Sequence, residues 1–451
     1  MSVILSILIY IFYFVLLLLI PLFFHKKKVK AILFILIFTA QFNVTCLFKL
    51  GVTFSFFEVA LLITSILIFL QQIYQRKWRC SISNIDIVFL IFLMFSFISI
   101  CIAFCRLLFD DLKLTSEYPM IPSVRSIMSL NKSLFYLLII PVRNYISSSI
   151  SYDEYQKAFL KYLTYSGVIP SIAVILQYLS IGFIVVHNNP SYSENVLRIV
   201  SYMGERPVGL SNEAAAHCYE LFFCLLGLFF SYYQKFISRK SFLILYTLFF
   251  VSVILSISRT GLLFFIAYSA YAYMRHSGVS MKKILVLIST GSLGFLLLMN
   301  LNIGGFNLFD RLLSTADVEA DLSTIERYGL THALVDLAID KSMILGVGIY
   351  NYFYYLKSYL PDYMGTLVYD RGFPLPSFNF IVQLWAEFGL PLFLLFIYLV
   401  VKYVRKCNNS FFNDWFLSLF LFALSFQMLN FSIPFIILLY PQFKKRLSNG
   451  T

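Results

Sequence analysis

Charge is what this chain has least of. Asp, Glu, Lys and Arg together make up 13% of its 451 residues, 60% are hydrophobic, and the mean hydropathy is +0.82. So little charge cannot clothe a globule in water, which excludes an ordinary soluble protein. Acidic residues are the scarcer sign, 22 against 35 Lys and Arg, for a formal charge of +13. Cysteine is sparse too: Cys46, Cys80, Cys101, Cys105, Cys218, Cys224 and Cys407 all lie in or beside apolar stretches. That pattern implies neither a disulfide framework nor a cysteine metal site. No Gly-rich phosphate loop and no His pair at metal-ligand spacing occurs, which argues against ATP-driven or metal chemistry, and no cofactor is expected.

What fills the chain instead is apolar sequence in lengths of about 20 residues, the length a helix needs to cross a hydrocarbon core about 30 Å thick. Spans are expected near 1–24, 30–50, 56–74, 84–105, 129–146, 157–183, 212–233, 241–257, 260–274, 283–301 and 378–401. The stretch 411–443 is too long for one crossing and contains Pro434, so it reads as a hairpin of two short helices. The fold class is therefore an all-α polytopic integral membrane protein of about 12 to 13 transmembrane helices. The first stretch lacks a basic leader and a small-residue cleavage site and is expected to be retained. The 50 Phe and 31 Tyr suit lipid-facing and interfacial positions.

Short loops rich in Lys and Arg stay on the cytoplasmic side. Basic clusters fall on every second connection: Lys26 to Lys30, Arg76 to Arg79, Arg143 to Lys161, Lys235 to Lys240, Arg275 to Lys283, Lys402 to Lys406 and Lys444 to Arg446. The positive charge is thus topology rather than a nucleic-acid footprint, and no nucleic-acid partner is expected. The loops near 106–128, 184–211, 256–260 and 302–376 then lie outside, as does the N-terminus. Three regions follow: an N-terminal bundle, 1–301, of about ten spans with outer loop 184–211; a large outer loop, 302–376; and C-terminal helices, 377–451, with a short basic cytoplasmic tail.

The large loop holds nine acidic and five basic side chains, so it reads as a folded subdomain containing short helices. Ser323 followed by Glu326 is a capping-box pattern that predicts a helix to about Lys341, before Gly346 and Gly348. On it Arg327 shares a face with Leu330, Leu334 and Ala338, while Asp336 points away, so Arg327 should face protein or snorkel over apolar surface. In the earlier loop, Glu205-Arg206-Pro207-Val208-Gly209-Leu210-Ser211-Asn212 precedes an inward-running span, with Ser211 and Asn212 as candidate N-caps. Ser258-Arg259-Thr260 repeats the arrangement, and a third inward helix begins near Asn379. Helix N-termini favour anions and arginine forks suit phosphate, so the outer face is expected to bind a phosphate-bearing lipid.

These pieces resemble the bacterial O-antigen polymerase and O-antigen ligase superfamily over roughly residues 200–400. The carriers are Arg206-Pro-Val-Gly209-Leu-Ser-Asn212, Ser258-Arg259-Thr260, Arg327 ahead of Leu345-Gly346-Val-Gly348-Ile-Tyr-Asn351-Tyr352, and Phe378-Asn379-Phe380 leading to Glu387-Phe388-Gly389-Leu390. The resemblance implies a GT-C-like bundle in the bacterial inner membrane that moves glycan from undecaprenyl pyrophosphate on the periplasmic face, without nucleotide or metal. It also implies a chain-length regulator and a flippase of the same pathway as partners. On it Arg206 and Arg327 are the first candidates to stabilise the leaving pyrophosphate, and Arg259 completes or braces that cradle. Gly209, Ser211, Asn212, Gly346, Gly348 and Asn379 are candidate substrate contacts. A general base is also required, for which Glu205, Glu213, His217 and His332 stand unranked, His217 also fitting a satisfied interhelical histidine.

The expected function is that of an O-antigen polysaccharide polymerase. In the resembling ligases a His precedes the Asn that aligns with Asn379, and here that position is Phe378, which counts against transfer to lipid A core. A lipid-linked oligosaccharide flippase or transporter would predict duplicated halves and charges within spans, and no internal repeat is evident.

Overall fold

The computed structural model describes residues 2–42, 48–50, 52–76, 81–109, 127, 130, 133–179, 207–211, 214–277, 302–303, 306–307, 322–361, 379–407, 409–424 and 432–441. Helices α1 (Ser2–His25), α2 (Val29–Ala40), α3 (Phe56–Gln75) and α4 (Asn84–Phe109) come first. A 3-10 turn, Tyr136–Leu138, leads into α5 (Ile139–Ser149), followed by α6 (Tyr152–Ser166), α7 (Val168–Tyr178), α8 (Ala214–Tyr233), α9 (Arg239–Leu255) and α10 (Arg259–Ser277). Next come α11 (Leu322–Lys341), α12 (Tyr352–Leu356), α13 (Phe380–Phe388), α14 (Leu390–Lys406), α15 (Ser410–Ala423) and a 3-10 helix, Ile433–Leu439. Two small antiparallel hairpins, Phe48–Leu50 with Val52–Phe54 and Asn302–Ile303 with Phe306–Asn307, are the only strands among the described residues.

Among the described residues, five stretches are long and apolar enough to cross a membrane: Leu8–His25, Phe56–Gln75, Asn84–Arg106, Tyr152–Tyr178 and Ala214–Tyr233. Multi-pass membrane insertion follows, since helices satisfy their own backbone groups where no water can. Helix α8 is apolar all round, and seventeen of its twenty residues are buried, which makes it the centre of the bundle. Around it, Leu18, Phe69, Phe97, Ile244, Leu263 and Leu394 expose large apolar side chains outward, as hydrocarbon contact requires. Hydroxyls within spans bond back to their own helix, Thr64 to the carbonyl of Ala60 and Thr164 to that of Leu160.

Three expected spans are interrupted. The stretch predicted as 30–50 is helical only to Ala40, because Gln41 turns inward and its amide donates to Ser166 Oγ at 2.8 Å. The stretch predicted as 157–183 starts at Tyr152 and breaks at Gly167, where a Cβ would stand 2.9 Å from Cys224 Cβ. The last long span breaks at Gly389, whose φ of +82° suits only glycine. The stretch predicted as 283–301 lies outside the described residues.

Polar contacts sort the helix ends into two sets. At the end carrying the basic turns, the Arg143 guanidinium donates to both Asp86 oxygens at 2.6 Å, with both residues buried. It also reaches the Leu438 carbonyl, so α4, α5 and the final 3-10 helix are fastened together. At the same end Arg275 pairs with Asp414 and Lys30 with Glu154. At the opposite end Glu58 accepts from the amide of Ser55 at 2.6 Å and from the Tyr136 hydroxyl at 3.0 Å. Residues of four of the basic turns, Lys30, Arg143, Arg275 and Lys406, thus take part in contacts at one end of the bundle.

Candidate functional site

Of the residues singled out above, most of those described lie in two clusters away from the basic turns. The first is a buried turn, Pro207 to Ser211, folded back over the start of α8. Backbone buried away from water needs partners, and Gln177 of α7 supplies them. Its Oε1 accepts from the amides of Val208 at 2.9 Å and Gly209 at 2.8 Å, and its Nε2 donates to the Gly209 carbonyl at 2.8 Å. Gly209 takes a φ of +64°, and a Cβ there would stand 2.6 Å from His217 Nδ1. His217 is fully buried, its Nε2 2.8 Å from Ser252 Oγ.

Ser211, expected as a helix cap, turns into the bundle instead and donates to Glu220 Oε2 at 2.6 Å. A buried carboxyl in the next turn but one of α8 is the stronger acceptor. The α9–α10 corner closes the cluster: Ile257 has a φ of +52°, Ser258 Oγ accepts from the Gly261 amide at 3.3 Å, and half-buried Arg259 is the first residue of α10. Arg206, Glu205, Asn212 and Glu213 lie outside the described residues.

The second cluster is a knot between the 342–351 loop and the α13–α14 break. Val347 N donates to the Ala386 carbonyl at 2.9 Å, Gly348 N to that of Glu387 at 3.1 Å, and Leu390 N to that of Ser342 at 3.0 Å. Gly346 is forced by this approach, since a Cβ would fall 2.1 Å from the Glu387 carbonyl oxygen. Gly348, at φ +92°, would place a Cβ 2.5 Å from Ala103 Cβ. Backbone packing therefore accounts for both glycines. Glu387 Oε1 accepts from the Tyr350 amide at 2.8 Å and from Gln383 Nε2 at 2.9 Å, so the two motif pieces form one physical unit. Asn379 caps α13, accepting from the Val382 amide at 3.1 Å.

Helix α11 starts at Leu322, one residue before the expected cap, and ends at Lys341 as expected. It buries Leu330, Leu334 and Ala338 against the 347–356 segment and Ala386 in a small core of its own. Arg327 is half-buried on the side of that face, while His332 is exposed on the other side, its Nδ1 2.9 Å from Asp336 Oδ2. Arg106, at the end of α4, fastens the far end of α11: its guanidinium donates to the carbonyls of Lys341, Leu345 and Gly346. A cation at a helix C-terminus meets the negative end of its dipole.

Gln177, Glu220 and Arg106 escaped the reading of the sequence. Gln177 and Glu220 are polar residues inside apolar spans, a signal by itself. Among the described residues, no group of three His, Cys, Asp or Glu could hold a metal ion.

A family model, Wzy_C, described as O-antigen ligase, matches residues 243–397. No curated protein and no solved structure gives a match. The matched stretch holds Arg259, Arg327, the 345–351 glycine loop and Glu387, and it supports a general polymerase or ligase role in lipopolysaccharide biogenesis. The match covers residues 243–397 of 451, and over that stretch the chain is similar to the O-antigen ligase family.

Proposed function

We propose that the protein is a polysaccharide polymerase of the inner membrane, moving a glycan from undecaprenyl pyrophosphate onto the next lipid-linked repeat unit at the periplasmic face. The observation that carries this reading is the family match together with the position of Arg259 and Arg327 inside it, at the end of the bundle away from the basic turns. Breaking the bond from the anomeric carbon to pyrophosphate leaves negative charge on the departing phosphate. Held arginines stabilise that charge as it develops, with no reorganisation at the moment of reaction. The acceptor hydroxyl must lose a proton in the same reaction. Of the two described candidate bases, His217 is enclosed beneath Gly209 and His332 is exposed on the side of α11 away from Arg327, so neither is singled out as the base.

The family description itself favours a second reading, transfer of finished glycan to lipid A core. Phe378, where the resembling ligases carry a His, weighs against it. The bundle is read as GT-C-like, with Arg206 and Arg327 sharing one pyrophosphate and a cavity open to the outer leaflet. Arg327→Ala and Arg206→Ala are expected to leave a membrane-inserted protein without polymerase activity. In a host that uses the protein for O antigen, electrophoresis should then show lipopolysaccharide capped by a single repeat. Bare core with lipid-linked polymer behind it would favour the ligase, and an unchanged ladder would remove that arginine from the site.

A further inference from the structure

Helix α8, the buried centre of the bundle, carries one carboxyl, Glu220, and no Lys or Arg. Glu220 is 1% exposed and stands thirteen residues before the last residue of α8, about 20 Å of helix rise from the end with the basic turns. That depth falls within a hydrocarbon core about 30 Å thick. Only one of its oxygens is satisfied. Oε2 accepts from Ser211 Oγ at 2.6 Å, while Oε1 has no hydrogen-bond partner, and no cation pairs with the carboxyl among the described residues. A carboxyl held in this way is a poor structural device. Taking it out of water is costly, and an apolar pair in place of both partners is often neutral or stabilising. Leu221, Phe222 and Phe223, which follow it, are all buried, so an apolar side chain would suit the position better.

What the carboxyl does hold is backbone outside any helix. Pro207 to Ser211 are all buried, and irregular backbone at membrane depth is tolerated only where protein or a cavity encloses it. Glu220 lies six residues inside α8, about 9 Å along its axis, so Ser211 meets it only because the turn folds back into the bundle. The turn is closed by the Ser211 amide on the Val208 carbonyl at 3.1 Å. It is fixed at three points, by Gln177 of α7, by His217 against Gly209 and by Glu220. The first two hold Val208 and Gly209, and Glu220 holds Ser211. Arg206, a first candidate to meet the leaving pyrophosphate, is joined directly to Pro207 in the sequence, so the turn sets where the chain leading to that arginine begins.

We propose that Glu220 is a positioning residue for the transfer reaction: through Ser211 it sets the turn that follows Arg206, and it touches no reacting atom itself. This role rests on the transferase reading above and adds a residue to that same site. The parent protein is assayed first, in proteoliposomes with lipid-linked repeat units, with and without lipid A core; transfer to neither acceptor overturns the transferase reading itself. In an active parent, kcat, KM for the lipid-linked donor and Tm are then compared for Glu220→Leu, Ser211→Ala, the two together and Glu220→Gln. Each of the first three should lower kcat about 10- to 100-fold at unchanged KM, the scale of a slightly misplaced reacting group. The double variant should lose no more rate than either single one, because both changes break one contact. It should also keep a Tm at or above the parent's, and Glu220→Gln, which keeps an oxygen for Ser211, should recover most of the rate. The role is overturned if Glu220→Leu turns over at the parent's rate, if the two losses multiply, or if Tm falls together with kcat and Glu220→Gln does no better than Glu220→Leu, as a purely structural group would behave.

Discussion

At Gly209 two requirements meet in one residue: a φ of +64°, and no room for a Cβ above His217. They can be separated. Gly209→Ala should destabilise the protein by about 2–4 kcal/mol, combining roughly 1–2 kcal/mol for a non-glycine left-handed residue with about 1–2 kcal/mol of overpacking. Thermal unfolding of Gly209→Ala in a His217→Ala background should recover the overpacking part and keep the backbone part; full additivity of the two changes would show that His217 is not the obstacle. The arginines belong to the same scale but to a different observable. Arg259→Ala and Arg327→Ala should each lower the transfer rate about 100-fold or more, the loss typical of one preorganised charge donor, with Lys restoring only part of it. Rates within a few-fold of the parent protein would place these side chains outside the reaction.

Among the elements, α4 and α5 are joined by an ion pair that no bilayer water can screen. Asp86→Ala should cost about 3–5 kcal/mol, because it leaves the buried Arg143 charge unmatched. The double variant Asp86→Ala with Arg143→Ala should cost less than the two single losses added, and strict additivity in chemical unfolding would contradict the pair. Helix existence was legible in the sequence wherever apolar runs were uninterrupted: α1, α3, α4, α8 and α10 appear within a few residues of where hydropathy places them. The breaks at Gly167 and Gly389 were not legible, because both glycines sit in apolar sequence and their reasons are distant. One is Cys224, 57 residues on; the other is the Ser342 to Gly346 loop, more than 40 residues back. The candidate site behaves in the same way. Sequence order marked Leu345 to Asn351 and Phe378 to Leu390 as separate pieces, whereas Glu387 and the crossing backbones make them one knot. The supports, buried Gln177 and half-buried Arg106, act through backbone carbonyls and amides, which leave no pattern in side-chain spacing.

For the whole molecule, the proposed topology has the Gly209 turn, Arg259 and the Glu387 knot on one side of the membrane and the basic turns on the other. Single cysteines at Ile344 and at Ser149, placed in a background with exposed Cys101 and Cys105 replaced, should label from opposite sides of sealed membranes. Labelling of both from the same side would break the topology. The proposed reaction joins lipid-linked repeat units to one another. It is tested most directly by reconstituting the purified protein in proteoliposomes with undecaprenyl-pyrophosphate-linked repeat units as the sole substrate, and resolving the products by electrophoresis. A ladder of lipid-linked polymer, absent with Arg327→Ala, is the predicted result; no product until lipid A core is added, and then glycan on that core, would contradict it.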